Sequence, residues 1–385
     1  MIPSQIASYF RKNYSESFKI IKSPGRVNII GEHTDYNLGY VLPASIEKAI
    51  YFAVNLNNSE EINIETFLTS PEKITFKLKG QHDPFDSFWG NYFKAVLEIL
   101  RDRNYPLEGF DCVFGGDIPI GSGLSSSAAL CCGFIYALSV VLEKEIPRKE
   151  IALIAQGAEH KIGLNCGLMD QYAVLFGKKG NALFLDCKDL SYKYVPINLK
   201  GYSWVLINSN IKHNLAVDSE YNKRRASCET VVREVSKKKD NVSSLRDVTS
   251  QDLEDVKNQV TKLDFTRANY VIQENERVLK MIELLNKGKA ELVGKVLLEG
   301  HWAMSKEFEI TTTELDYLVR IGMELDGVIG SRMMGGGFGG CTINLIKTDG
   351  IDESVNTILS KYRKETGILA EVYQLQIGDG VHILE

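Results

Sequence analysis

Apolar residues recur at helical spacing over residues 6–10, and β-rich segments follow at 49–56, 62–67, 74–78 and 111–118. Helical apolar spacing returns at 89–101, 124–142 and 149–162, and 182–186 with 192–197 reads as a closing strand pair. This half predicts a mixed sheet backed by helices. The second half opens with a strand at 204–208 and a helix from about Ser219, followed by a polar stretch, 236–250, predicted to be an exposed loop. Helices follow at 275–286, 290–304 and 313–325, with strands at 342–346 and 370–377. No internal repeat or low-complexity segment interrupts the pattern. A chain of 385 residues exceeds what one core usually serves, so two lobes are expected. They are placed at 1–200 and 201–385, handing over between 180 and 205, with a ligand cleft between them.

Composition narrows the partners. The hydrophobic content of 44% with 25% charged residues is that of an ordinary globular protein, and the net charge of -5 gives no basic footprint for a nucleic acid. The one lysine run, Lys237, Lys238 and Lys239, sits beside Asp240 and reads as a solvated helix end. Seven cysteines form no C-x-x-C pair, and Cys112, Cys131, Cys132 and Cys341 stand among apolar residues, which predicts buried thiols in a reducing, cytoplasmic setting. Arg11 and Lys12 stand where an export signal needs an apolar core. The longest nearly apolar run, 128–142, is short for a membrane span and predicts a core helix instead.

Four clusters carry candidate chemistry. Gly121-Ser122-Gly123-Leu124-Ser125-Ser126-Ser127 precedes a strongly apolar helix, where unpaired amides and the helix dipole favour an anion and hydroxyls add donors or a metal ligand. Alone, the stretch equally suits a serine-capped helix after a glycine turn. Gly335-Gly336-Gly337-Phe338-Gly339-Gly340 has five glycines in six residues, more than one turn requires, and suggests close approach to a ligand or to the first loop. Pro24 to Tyr36 gathers Arg26, Glu32, His33 and Asp35, a set able to read several hydroxyls, although a turn with a surface ion pair is the plainer use. Asn165-Cys166-Gly167-Leu168-Met169-Asp170-Gln171 places a carboxylate among apolar neighbours, a position more often filled by a cap or turn residue. Together the clusters are the parts of phosphoryl transfer to an alcohol, where positioning and charge neutralisation dominate. The chain has no G-x-x-x-x-G-K-[ST] loop and no H-R-D or D-F-G motif, so another kinase architecture is required.

On these residues the chain resembles the GHMP small-molecule kinases and, among them, the galactokinase family. Residues 25–36 followed by Val41-Leu42-Pro43 resemble the galactokinase signature, 119–129 the phosphate loop and 334–341 the third motif. Residues 166–171 and Ser219-Glu220-Tyr221 match as well, so the likeness runs from about residue 20 to 346 in order. The resemblance implies an α+β fold of two lobes, an N-terminal ribosomal-protein-S5-like lobe and a C-terminal ferredoxin-like lobe, with the active-site cleft between them. It implies transfer of the ATP γ-phosphoryl group to the C1 hydroxyl of α-D-galactose, with Mg²⁺, in galactose catabolism by the Leloir pathway. Asp170 would be the base, and Arg26 would stabilise that carboxylate and the charge building in the transition state. Glu32, His33, Thr34, Asp35, Gly167 and Tyr221 would contact the sugar. Gly121, Ser122, Gly123, Leu124, Ser125, Ser126 and Ser127 would cradle ATP, with Trp89 at the adenine and Gly335, Gly336 and Gly337 shaping the cleft. Ser127 and Glu159 would hold Mg²⁺.

The implied partners are galactose and ATP, with no nucleic acid and no membrane, for a cytoplasmic monomer. A kinase for a related sugar such as N-acetylgalactosamine is one alternative. A galactose and ATP sensor without catalysis is another, and the intact Arg26, Asp170 and serine loop argue against it. The link from Glu159 to Asp170 is one residue shorter than the usual family pattern. Because Ile151, Ile154, Ala155, Ala158 and Ile162 form the apolar stripe of the helix with Glu159 at its edge, the missing residue is expected to be absorbed in the turn 163–165.

Overall fold

The computed structural model describes residues 2–67, 71–80, 83–119, 121–197, 199–211 and 217–384. Ile120 and the side chain of Ser219, both in stretches singled out above, lie outside the described residues. The first half forms strands β1 (Lys19–Asn28), β2 (Tyr40–Val41), β3 (Pro43–Leu56), β4 (Glu61–Thr66), β5 (Lys73–Lys77), β6 (Phe110–Gly116), β7 (Asn181–Asp186) and β8 (Ser191–Pro196). Its helices are α1 (Ile2–Asn13), α2 (Phe88–Asp102), α3 (Ser126–Val141), α4 (Arg148–Lys161) and α5 (Met169–Phe176). The second half contributes β9 (Tyr202–Asn208), β10 (Val328–Met333), β11 (Cys341–Lys347), β12 (Glu371–Gln374) and β13 (His382–Ile383). Its helices are α6 (Val217–Ser236), α7 (Ser250–Asp255), α8 (Lys262–Asn286), α9 (Ala290–Ala303), α10 (Thr313–Met323) and α11 (Ile351–Thr366).

The first lobe is a six-stranded mixed sheet ordered β13-β1-β3-β6-β4-β5, in which only the β4–β6 pair is parallel. Its side chains alternate as a pleated strand dictates: Phe52 and Val54 enter the core under α2, α3 and α4, while Ala53 meets Ile6 and Phe10 of α1 on the other face. Helix α3 is apolar on nearly every side because it is enclosed, packed against β1, β3 and three neighbouring helices.

The second lobe is a four-stranded antiparallel sheet ordered β10-β11-β9-β12. With helices between β9 and β10 and α11 between β11 and β12, its order is the ferredoxin-like one. The lobes share a core in which Val27, Ile29, Ile30 and Leu124 meet Leu206, Met334, Cys341 and Ile343. The chain crosses back at its far end, where β13 pairs with β1 and so joins the first sheet although it lies in the stretch expected to form the second lobe.

The polar stretch 236–250 departs from expectation. Leu245 and Val248 are buried against α6 and α8, so two apolar anchors pin what polarity alone reads as a free loop. Helix α8 starts at Lys262, well ahead of the expected 275, capped by the Thr261 hydroxyl accepting from the Asp264 N–H. Among the described residues no helix is long and apolar enough to cross a membrane.

Candidate active site

A cavity of about 210 Å³ opens between the lobes. It is lined by Arg26 of β1, the turn residues Glu32, His33 and Asp35, Ser127 of α3, Glu159 of α4, the link residues 163–167, Met169 and Asp170 of α5, Tyr221 and Asn222 of α6, and Gly335, Gly336 and Gly337. Four clusters distant in sequence therefore meet at one place.

At its centre Arg26 and Asp170 form a two-pronged pair, with Nε donating to Oδ1 at 2.6 Å and Nη2 to Oδ2 at 2.9 Å. Arg26 is buried, whereas the Asp170 side chain keeps 26% of its exposure and can reach a ligand. Asp170 is the second residue of α5, not the cap or loose turn that its neighbours suggested. The third guanidinium arm, Nη1, donates to the Gly123 carbonyl at 2.5 Å, and the Ser125 hydroxyl donates to Asp170 Oδ2. The pair is thus built into the glycine-serine loop.

That use of Ser125 sets aside the serine-capped reading of the loop. Ser125 occupies the N-cap of α3 in a left-handed conformation, and among the described residues no side chain caps the helix, whose first amides have no partner within the helix. The parts of the loop differ in where they point. Ser122 is buried with its hydroxyl donated to the Pro119 carbonyl at 2.7 Å, and Leu124 is in the shared core, so these two offer a ligand only backbone. Ser126 and Ser127 line a second, largely apolar cavity of about 390 Å³ with Trp89, Tyr92, Phe114 and Ile118. Ser127 borders both cavities, which makes it the threshold between them.

The glycine run of the second lobe closes over this loop. A Cβ on Gly335 would lie 3.5 Å from the Gly123 carbonyl, and one on Gly337, where φ is +86°, would lie 2.8 Å from Ile310 Cβ. Only glycine fits the latter position, for want of space and because of the left-handed backbone.

On the opposite wall His33 is neutral. Its Nε2 faces the Gly336 carbonyl at 3.2 Å and must donate, so Nδ1 accepts from the Tyr36 hydroxyl at 2.9 Å, and burial pulls its pKa down to about 4. The Tyr221 ring packs tilted against His33, their centroids 4.9 Å apart. Burial pushes the Glu32 carboxyl up to about 7, and burial with the neighbouring Asp170 pushes Asp35 up to about 6. Asp35 sits so close to Gly167 that a Cβ there would be 2.7 Å from Asp35 Cβ. Thr34 does not reach the cavity. It is fully buried, and its hydroxyl serves the Gly31 carbonyl at 2.9 Å and the Tyr40 carbonyl at 2.6 Å, bracing the turn instead of facing a ligand.

Glu159 is 4% exposed, and burial raises its carboxyl to about 7. It is hydrogen-bonded by Ser127, Gln171 and Cys166, and among the described residues no lysine or arginine pairs with it. A buried carboxylate beside a hydroxyl, short of a counter-charge, fits a Mg²⁺ ion that also takes phosphate oxygens and water. After the helix, Leu164 N–H returns to the Glu159 carbonyl at 3.0 Å and Gly163 turns at φ +99°.

Sequence reasoning missed Asn222, which lines the cavity, and Arg332, which is fully buried and bonded to Glu32. Arg332 had one visible signal, a cation inside an otherwise uncharged stretch leading into the glycine run. Asn222 had none.

Comparison with known proteins places this geometry. Residues 91–178 match the family described as GHMP kinases N terminal domain, and residues 281–364 match GHMP kinases C terminal. The fold is therefore that of a GHMP kinase, shared with a mevalonate kinase structure at TM-score 0.65 and 19% identity over 94% of this chain and 99% of that one. Residues 8–56 match the galactokinase galactose-binding signature. The galactokinase of Clostridium acetobutylicum is 38% identical over 99% of this chain and 97% of its own length, and that of Fusobacterium nucleatum is 40% identical over 95% of each. The crystal structure of Lactococcus lactis galactokinase complexed with galactose covers 99% of this chain and 100% of its own, at TM-score 0.93 and 30% identity. The chain belongs to the galactokinase family.

Proposed function

We propose that this protein transfers the γ-phosphoryl group of ATP to the C1 hydroxyl of α-D-galactose, giving galactose 1-phosphate and ADP. The observation that carries the reading is the Arg26–Asp170 pair, set where the hydroxyl-reading wall meets the uncapped start of α3. Asp170 takes the proton from the anomeric hydroxyl as the phosphoryl group arrives. Arg26 fixes the carboxylate and stabilises charge in the transition state. Glu32, Asp35, His33, Gly167 and Tyr221 form the sugar side. The backbone of 121–127 receives the phosphates, with Gly335 to Gly337 closing over them, and the cavity beside Trp89 takes the adenine. Ser127 and Glu159 would hold Mg²⁺, which when bound would neutralise charge on the phosphates. The free thiols, buried apart from the half-buried Cys166, suit the cytoplasm.

A panel of sugars with ATP and Mg²⁺, followed by ADP release and by the identity of the phosphorylated carbon, tests the reading. Galactose should be phosphorylated at C1, and glucose poorly, since its C4 hydroxyl leaves buried polar groups unpaired. Equal turnover of the two sugars would overturn the roles given to Glu32, His33 and Asp35.

A further inference from the structure

Glu32 lines the sugar side of the cavity, yet both of its oxygens are held from the second lobe. Arg332, near the end of β10, donates from Nη2 to Oε2, and the Gly335 N–H reaches Oε1 at 3.3 Å. The remaining arms of Arg332 are fixed to backbone, Nη1 to the Ile29 carbonyl and Nε to the Met333 carbonyl, each at 3.2 Å. Behind it, Glu274 of α8 lies 3.5 Å from Nη2, is paired with Arg277 at 2.6 Å, and accepts the Gly31 N–H at 3.0 Å. Arg332 is fully buried and does not line the cavity.

We propose, resting on the sugar-binding role given to Glu32, that Arg332 is a positioning residue that aims Glu32 at the sugar and makes it an acceptor of sugar hydroxyls. The groups facing Glu32 are Arg332 from β10, Glu274 and Tyr270 from α8, the Asn28 amide at the end of β1 and the Gly335 N–H. Burial is the main influence raising the Glu32 carboxyl, Arg332 is the main one opposing it, and Glu274 adds to the rise. Removing the guanidinium removes the main influence that opposes burial, so at neutral pH Glu32 keeps its proton more fully than in the parent and is a poorer acceptor of sugar hydroxyls. A part that merely fills space between the lobes would have no such dependence on protonation.

The test is Arg332→Met in the parent and in a Glu32→Gln background, with KM for galactose, KM for ATP and kcat measured from pH 6 to 9. In the parent background the galactose KM should rise about tenfold at pH 7, fall again as pH rises, and leave the ATP KM nearly unchanged. In the Glu32→Gln background the second change should add less than about threefold, since the charge it served is gone. Independent, multiplying effects, or a galactose KM indifferent to pH in Arg332→Met, would overturn the proposal. If Arg332→Met alone does not fold, the double variant removes both buried charges and allows comparison with Glu32→Gln. Arg332→Lys keeps the charge without the fork, so it should raise the galactose KM without new pH dependence, and an unchanged KM there refutes the role as well. A parent that fails to phosphorylate galactose refutes the functional reading, whereas a parent that succeeds while the variants break this pattern refutes only the role of Arg332.

Discussion

Gly167→Ala isolates the sugar wall from every other part of the site. The backbone at Gly167 is not left-handed, so alanine meets no conformational objection there, only a spatial one. Its new Cβ would lie 2.7 Å from Asp35 Cβ, where carbon atoms prefer about 3.5–4.0 Å. Rotation of the Asp35 side chain can clear the carboxylate, but it cannot move Asp35 Cβ, whose place is set by the backbone turn. Either that turn or the link 163–168 must give by about 1 Å, a misplacement that can cost about 100-fold in rate, or about 2.7 kcal/mol. Overpacking of this kind costs about 1–3 kcal/mol of stability, which leaves the protein folded at assay temperature. Coupled ADP release with galactose varied at saturating ATP, then the reverse, should show the loss in kcat/KM for galactose and little change in the KM for ATP. A galactose kcat/KM within about threefold of the parent, with an unchanged melting temperature, would refute the argument that Asp35 and Gly167 form one rigid contact.

Asp170→Asn keeps the shape and removes the proton acceptor, so turnover should fall by about 10²–10⁴ while galactose still binds by calorimetry, and near-normal turnover would show that Asp170 is not the base. Glu159→Gln should raise the Mg²⁺ requirement or abolish turnover in a metal titration, and an unchanged Mg²⁺ dependence and rate would remove Glu159 from the metal site. Burial and Asp170 raise the Asp35 carboxyl from 3.8 to about 6, so the folded state holds a proton that the unfolded chain has lost. Stability of the ligand-free protein should therefore decline as pH rises from about 4 to 6, by up to about 3 kcal/mol from this group. Asp35→Asn should melt higher than the parent above pH 6 and match it below pH 4, and equal melting above pH 6 would contradict the shift.

Much of this was legible in the chain itself, because the ligand-handling segments are local and the chemistry of each is fixed by residue type. The glycine-serine loop, the turn carrying Glu32, His33 and Asp35, and the Asp170 carboxylate could each be picked out, and helices such as α3 and α4 announced themselves by apolar spacing. Strand β10 escaped because Gly330, Ser331 and Arg332 break its apolar pattern; their burial depends on distant partners, Gly294 of α9, Asn344 of β11, and Ile29 with Glu274 of α8 respectively. Helix α11 escaped because it is mostly polar and covers its sheet with few side chains, among them Ile358 and Tyr362. Thr34 shows the limit of reading a motif as a list. It stands between His33 and Asp35, yet the turn that brings those two to the cavity sends its hydroxyl away from it.

The pairing of β13 with β1 has a consequence for the order in which the molecule can be made. Ile21 and Lys22 leave the ribosome early, but their partners Ile383 and His382 emerge only after the whole second lobe has been synthesised. Until then one edge of the first sheet carries unpaired backbone groups, the kind of edge that recruits stray strands. The Val381 N–H reaching the Val174 carbonyl at 2.8 Å and the Leu384 N–H reaching the Ile20 carbonyl at 2.8 Å are then closing stitches, and the lobe synthesised first is the one finished last.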